Sequence, residues 1–157
     1  MKRLLIVLLA ALSLSACEKE LENTAISQDE KIDSFLQSKY AESTVVFQNG
    51  VNRILLEAGD STAFAAVGDK VSFSYVAYPF SSSIESNPFA AGEYTAVLGK
   101  GEMIKGLDYG IVGMCPGERS YILFSCKYAY GATVAGVGRD KALAFEITLN
   151  EINPDNE

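Results

Sequence analysis

From Thr44 onward the apolar residues come in short runs, and glycine-containing dipeptides close the first of them. Thr44–Phe47, Val51–Glu57 and Lys70–Ala77 are rich in Val, Ile, Leu, Phe and Tyr, and Asn49-Gly50, Gly59-Asp60 and Gly68-Asp69 separate them. Runs of this length and composition, bounded by turn signals, read as strands. Further strands are expected at Glu93–Leu98, Glu118–Ser125 and Ala142–Ile152. Only Glu102–Met114 keeps a helical period, with Met103, Ile104, Leu107, Ile111 and Met114 apolar. Gly106, Gly110 and Gly113 weaken that helix, and Cys115-Pro116-Gly117 ends it. Two loops complete the pattern, Ser81–Gly92 rich in small residues and Gly131–Asp140 rich in glycine. Many antiparallel-type strands with one short helix on a single face make an α+β plan.

The segment before residue 44 is of a different kind. Met1-Lys2-Arg3 is basic, Leu4–Leu12 is unbroken apolar sequence, and Leu14-Ser15-Ala16-Cys17 follows. That order is a secretory signal with an apolar core too short to span a bilayer. Its ending resembles the bacterial lipobox, in which cleavage precedes a cysteine that carries lipid. Residues 1–16 are therefore expected to be a signal peptide and Cys17 the lipidated residue. Residues 17–26 are polar and read as a tether. Ser27-Gln28-Asp29-Glu30 has the form of a capping box, and Ile32, Phe35, Leu36 and Tyr40 place one apolar stripe on a short helix over 27–41. The stripe can dock on the domain that follows, 44–152, or pair with a second copy. Glu18 after the cysteine is not the aspartate associated with inner-membrane retention, which favours an outer-membrane anchor.

Composition removes several chemistries. The 157 residues contain no His, so no histidine-based triad, general base or ordinary histidine-containing zinc site can form. With 13 basic against 20 acidic side chains the chain has a net charge of −7, the wrong sign for tracking nucleic-acid phosphates. Removing the signal deletes Lys2 and Arg3 and takes the net charge to −9. Cys115 and Cys126 flank a predicted strand. About eight residues at roughly 3.3 Å each hold them some 26 Å apart, whereas a disulfide needs Cα atoms within about 7 Å. Two unpaired structural thiols and no metal site are expected.

Several stretches then fall into a familiar order. Val51–Glu57, Gly68-Asp69-Lys70-Val71 with Tyr75, Leu98-Gly99-Lys100-Gly101-Glu102-Met103-Ile104-Lys105-Gly106-Leu107, Gly117-Glu118-Arg119, Tyr128-Ala129-Tyr130-Gly131 and Ala142–Ile147 resemble the FKBP family of peptidyl-prolyl cis-trans isomerases. The resemblance runs from about Gly50 to Ile152. It implies a twisted antiparallel β-sheet wrapped over one short α-helix, with an apolar cleft between them. Proline-containing polypeptides are the implied partners, no cofactor is implied, and the membrane is reached only through lipid on Cys17.

Carried over residue by residue, the resemblance gives Tyr75, Glu85 and Tyr130 catalytic roles. Tyr94 and Phe145 become aromatic walls beside Tyr75, and Met103 and Ile104 an edge whose Ile104 N–H holds a substrate carbonyl. Leu107 becomes the floor and Val137 part of a rim loop. Two positions depart from the family. Leu107 stands where the family usually has Trp, and Ile84-Glu85 stands for its Phe-Asp pair, by counting nine residues back from Tyr94. An alternative alignment puts Phe80-Ser81 there and removes the carboxylate. The implied chemistry suits a chain without histidine. The X-Pro barrier of about 18–20 kcal/mol arises from amide resonance. A dry pocket that strips water from the polar planar amide favours the less polar twisted form, and each 1.4 kcal/mol or so of that preference is about tenfold in rate.

Overall fold

The computed structural model describes residues 2–130, 137–138 and 140–153, without the side chains of 2–17 and 153. A helix, α1 (Lys2–Lys39), precedes β1 (Val45–Gln48), β2 (Val51–Glu57), β3 (Lys70–Phe80) and β4 (Ala90–Val97). A short helix, α2 (Lys105–Gly110), leads into β5 (Arg119–Phe124), a single 3-10 turn at Cys126–Tyr128 and β6 (Ala142–Asn153). The strands form one antiparallel sheet in the order β1-β2-β5-β6-β3-β4. This is the expected α+β architecture. The helical span is shorter than the apolar period suggested, Lys105–Gly110 within 102–114, because a left-handed glycine, Gly113 at φ 83°, lies just beyond it.

Both faces of the sheet are buried, by different helices. Val71, Phe73, Ile122, Phe124, Phe145 and Ile147 point inward to a core shared with Leu107, Ile111 and Met114. Their alternate neighbours, among them Ile54, Phe80, Leu123, Ala142 and Ala144, face Ile32 and Phe35 of α1. Because residues alternate between faces with period two, strands buried on both sides read as continuous apolar runs. The Ile32/Phe35 stripe thus docks on its own domain, with the Phe35 and Phe80 rings edge to face at 5.4 Å.

The N-terminal segment departs from its expected division. Helix α1 runs without a break through 17–26, where a tether was expected, and Ser27 lies inside the helix and caps nothing. Glu, Lys, Leu and Ala in this stretch are sound helix formers, and Ala25 is buried. Lipidation at Cys17 concerns a side chain outside the described ones.

Glycines place α2. A Cβ at Gly106 would overlap the Phe124 ring, and one at Gly110 would overlap Ile122. The residues that weaken the helix by propensity are therefore the ones that let it lie against β5.

Candidate active site

Between α2 and the inner face of the sheet lies an apolar cleft of about 350 Å³. Strand β3 contributes Phe73 and Tyr75, β4 contributes Tyr94, and β6 contributes Phe145. The segment entering α2 supplies Met103 and Ile104, α2 itself supplies Leu107, and Tyr130 follows the 3-10 turn. Seven of the residues singled out in the sequence meet here. The aromatic walls contact one another: Tyr75 lies 6.1 Å from Phe145 and Phe73 6.1 Å from Tyr94, ring centre to ring centre. Behind them Phe124 stacks on Phe145 at 5.8 Å. Leu107 is 6% exposed and closes the bottom.

Polar groups at the cleft are few and placed at its edge. Ile104 has extended backbone, φ −63° and ψ 146°, and its carbonyl accepts the N–H groups of Leu107 and Asp108, both at 3.1 Å. Its own N–H has no hydrogen-bond partner among the described residues. Burial, and next the Tyr75 phenol, push the Tyr130 hydroxyl above its ordinary range, so it remains a proton-bearing donor at neutral pH. Tyr94 is 44% exposed and donates to the Glu102 carbonyl at 3.1 Å.

Sequence reasoning missed two lining residues, Phe73 and Glu102. The first was legible, since it precedes Tyr75 by two in the same strand and so shares its face. The Glu102 carboxylate accepts the Val97 N–H at 2.9 Å. Asp108 accepts the Gly99 N–H at 2.7 Å, so two carboxylates pin the turn that presents Ile104.

Two expected residues are elsewhere. Glu85 is exposed and lies on a separate polar groove with Ser27, Gln28 and Lys31 of α1. Strand β3 runs to Phe80, which bridges Ile84, and the chain then returns so that the Phe89 N–H donates to the Ala77 carbonyl at 2.9 Å. Phe89, not Ile84, therefore meets Phe145, edge to face at 6.2 Å, and Ala90 follows it. Among the described residues, no carboxylate takes the place expected for Glu85. Val137 is buried with the inner core, 5% exposed, and lines no part of the cleft. A rim position would forgo the roughly 1.5–3 kcal/mol that burying such a side chain gains. Cys115 and Cys126 are both free and buried at either end of β5.

The C-terminal end of α2 is bound in a different way. Arg53 donates to the carbonyls of Gly110, Val112 and Gly113 at 3.4, 3.0 and 3.3 Å. Its Nε faces Glu118 Oε1 at 3.5 Å, with both side chains about nine-tenths buried. Glu118 also accepts from Ser120 Oγ at 2.7 Å and from the Cys115 N–H at 3.2 Å. Burial, and secondly this carboxylate, push the Cys115 thiol up.

Residues 61–150 match the family described as FKBP-type peptidyl-prolyl cis-trans isomerase, more than half of the chain. The chain belongs to that family. The residues that line the cleft, from Phe73 to Phe145, all lie within the matched stretch. Peptidyl-prolyl cis-trans isomerase FKBP10 of Homo sapiens is 38% identical over 64 residues, 40% of this chain and 11% of that protein. Peptidyl-prolyl cis-trans isomerase FKBP7 of Homo sapiens is 43% identical over 56 residues, 34% of this chain and 25% of that protein. FK506-binding protein 2B of Rhizopus delemar is 36% identical over 63 residues, 39% of this chain and 30% of that protein. The chain thus matches less than a third of the length of each of these relatives.

Proposed function

We propose that this chain catalyses cis-trans isomerisation of X-Pro bonds in envelope or secreted polypeptides, held at a membrane, with the outer membrane favoured, by lipid on Cys17. The observation that carries the catalytic reading is the cleft's division of labour. Its floor and walls are apolar, while the Ile104 N–H and the Tyr130 hydroxyl, at its edge, have no hydrogen-bond partner among the described residues. A proline ring on Leu107 between Tyr75 and Phe145 brings its preceding amide into this dry space. Loss of water raises the polar planar amide relative to the twisted one. The Ile104 N–H holds a neighbouring carbonyl, and Tyr130 donates to the bound peptide. None of this moves a proton, so the absence of histidine carries no penalty.

A protease-coupled assay on a proline tetrapeptide tests this reading. Acceleration that scales with the folded chain supports it, and rates equal to the uncatalysed reaction in a sample shown to be folded overturn it. The location has its own support, the Leu14-Ser15-Ala16-Cys17 ending. Fatty-acid labelling that disappears in Cys17→Ala, with membrane fractionation, tests the anchor.

One observation favours a second reading, a peptide-binding module with weak turnover. Glu85 is outside the cleft and Ala90 follows the Phe89 that meets Phe145, so among the described residues no acid hydrogen-bonds Tyr75. Tight binding of proline peptides without acceleration would select it.

A further inference from the structure

We infer that Gln28 of α1 is a positioning residue for Tyr130, so that the N-terminal helix sets the geometry of the cleft from the opposite face of the sheet. This rests on the isomerase reading only where turnover is the readout. The connection from β5 to β6 carries Tyr130 into the cleft and Val137 into the inner core. Its two stems are joined through a single side-chain amide. Gln28 Oε1 accepts the Cys126 N–H at 2.8 Å, and its Nε2 donates to the Asp140 carbonyl at 2.6 Å.

The chemistry of the amide makes this joint specific. The first N–H groups of any helical turn lack intrahelical acceptors. The turn at Cys126–Tyr128 has Ser125 at its N-cap with no side-chain cap of its own. Gln28, 98 positions away, supplies the missing acceptor. Its NH₂ end then requires an acceptor, which the Asp140 carbonyl provides, and only one orientation of the amide satisfies both bonds. Tyr130 follows the capped N–H by four residues, through a turn closed by Tyr128 N–H to Ser125 carbonyl at 3.0 Å and Ala129 N–H to Cys126 carbonyl at 3.2 Å. A shift of Cys126 is therefore passed to the phenol. The helix itself stays docked through Ile32 and Phe35, which are buried independently of Gln28.

The test compares the full chain with Gln28→Ala and Gln28→Glu, the second keeping the acceptor and losing the donor. Amide hydrogen exchange reads the joint without reference to turnover. Cys126 should exchange at least several-fold faster in Gln28→Ala and nearly as in the parent in Gln28→Glu. Well below the melting transitions, kcat/KM for an X-Pro peptide should fall roughly three- to tenfold in Gln28→Ala, the effect of one or two net hydrogen bonds, and less in Gln28→Glu. If the parent chain shows no turnover, affinity for the same peptide, by titration, replaces kcat/KM. Unchanged Cys126 exchange in Gln28→Ala overturns the inference. So does faster exchange with unaltered kcat/KM or affinity, which would leave Gln28 a merely structural contact.

Discussion

The two ends of α2 are treated in opposite ways. At its C-terminal end the carbonyls of Gly110, Val112 and Gly113 are held by Arg53, and those of Tyr109 and Val112 by Gln48. Glu118 backs Arg53 from below. At the other end the Ile104 N–H has no partner among the described residues, and its surroundings are apolar. The lesson is that the buried ion pair and the open end belong together. In the proposed reading, one end of the helix is tied down with polar contacts and the other is left free for a peptide carbonyl.

Breaking the tied end should have the largest effect. Arg53→Met leaves the Glu118 carboxylate buried without its cation, and we expect a loss of about 3 kcal/mol in urea unfolding. A loss under about 0.5 kcal/mol would show that the ion pair does not secure the helix. At the open end, Tyr130→Phe removes a donor without changing the cleft's shape, and kcat/KM should fall roughly fivefold with stability little altered. Leu107→Trp enlarges the flat apolar floor and should raise kcat/KM about threefold, visible in the same assay. A fall instead would mean that the leucine floor is matched to a bulkier ligand than a proline ring.

Two further tests expect nearly no change, which makes them sharp. Glu85→Gln should leave kcat/KM within about twofold, because the carboxylate lies on the α1 groove and not on the cleft. Activity should also be flat between about pH 6 and 9. The chain has no histidine, and burial raises the Tyr130 hydroxyl, so its proton is lost only above that window. A bell-shaped profile within it would place a titrating group in the reaction.

The strands were legible because they are rich in β-branched and aromatic residues and turn signals bound the first of them. The cleft was legible because a contiguous motif, Leu98–Leu107, carries four of its nine lining residues. Other features were hidden for physical reasons. The Arg53–Glu118 pair joins residues far apart in sequence, and neither differs in type from a surface charge. Counting back from Tyr94 assigned Glu85 to the cleft because an ungapped loop was assumed. The Phe80–Ile84 bridge folds that loop on itself and hands the aromatic position to Phe89. The break expected between tether and helix failed because polarity was read as disorder, although Glu, Lys and Leu also favour helix.

The most direct test is two-dimensional NMR exchange spectroscopy on an X-Pro peptide with a catalytic amount of the full chain. Unaided, the two isomers interconvert over tens of seconds or longer. Cross-peaks between cis and trans signals within about a second, weakened in Tyr130→Phe, are the predicted result. Isomers that remain unlinked in the presence of folded chain would contradict it.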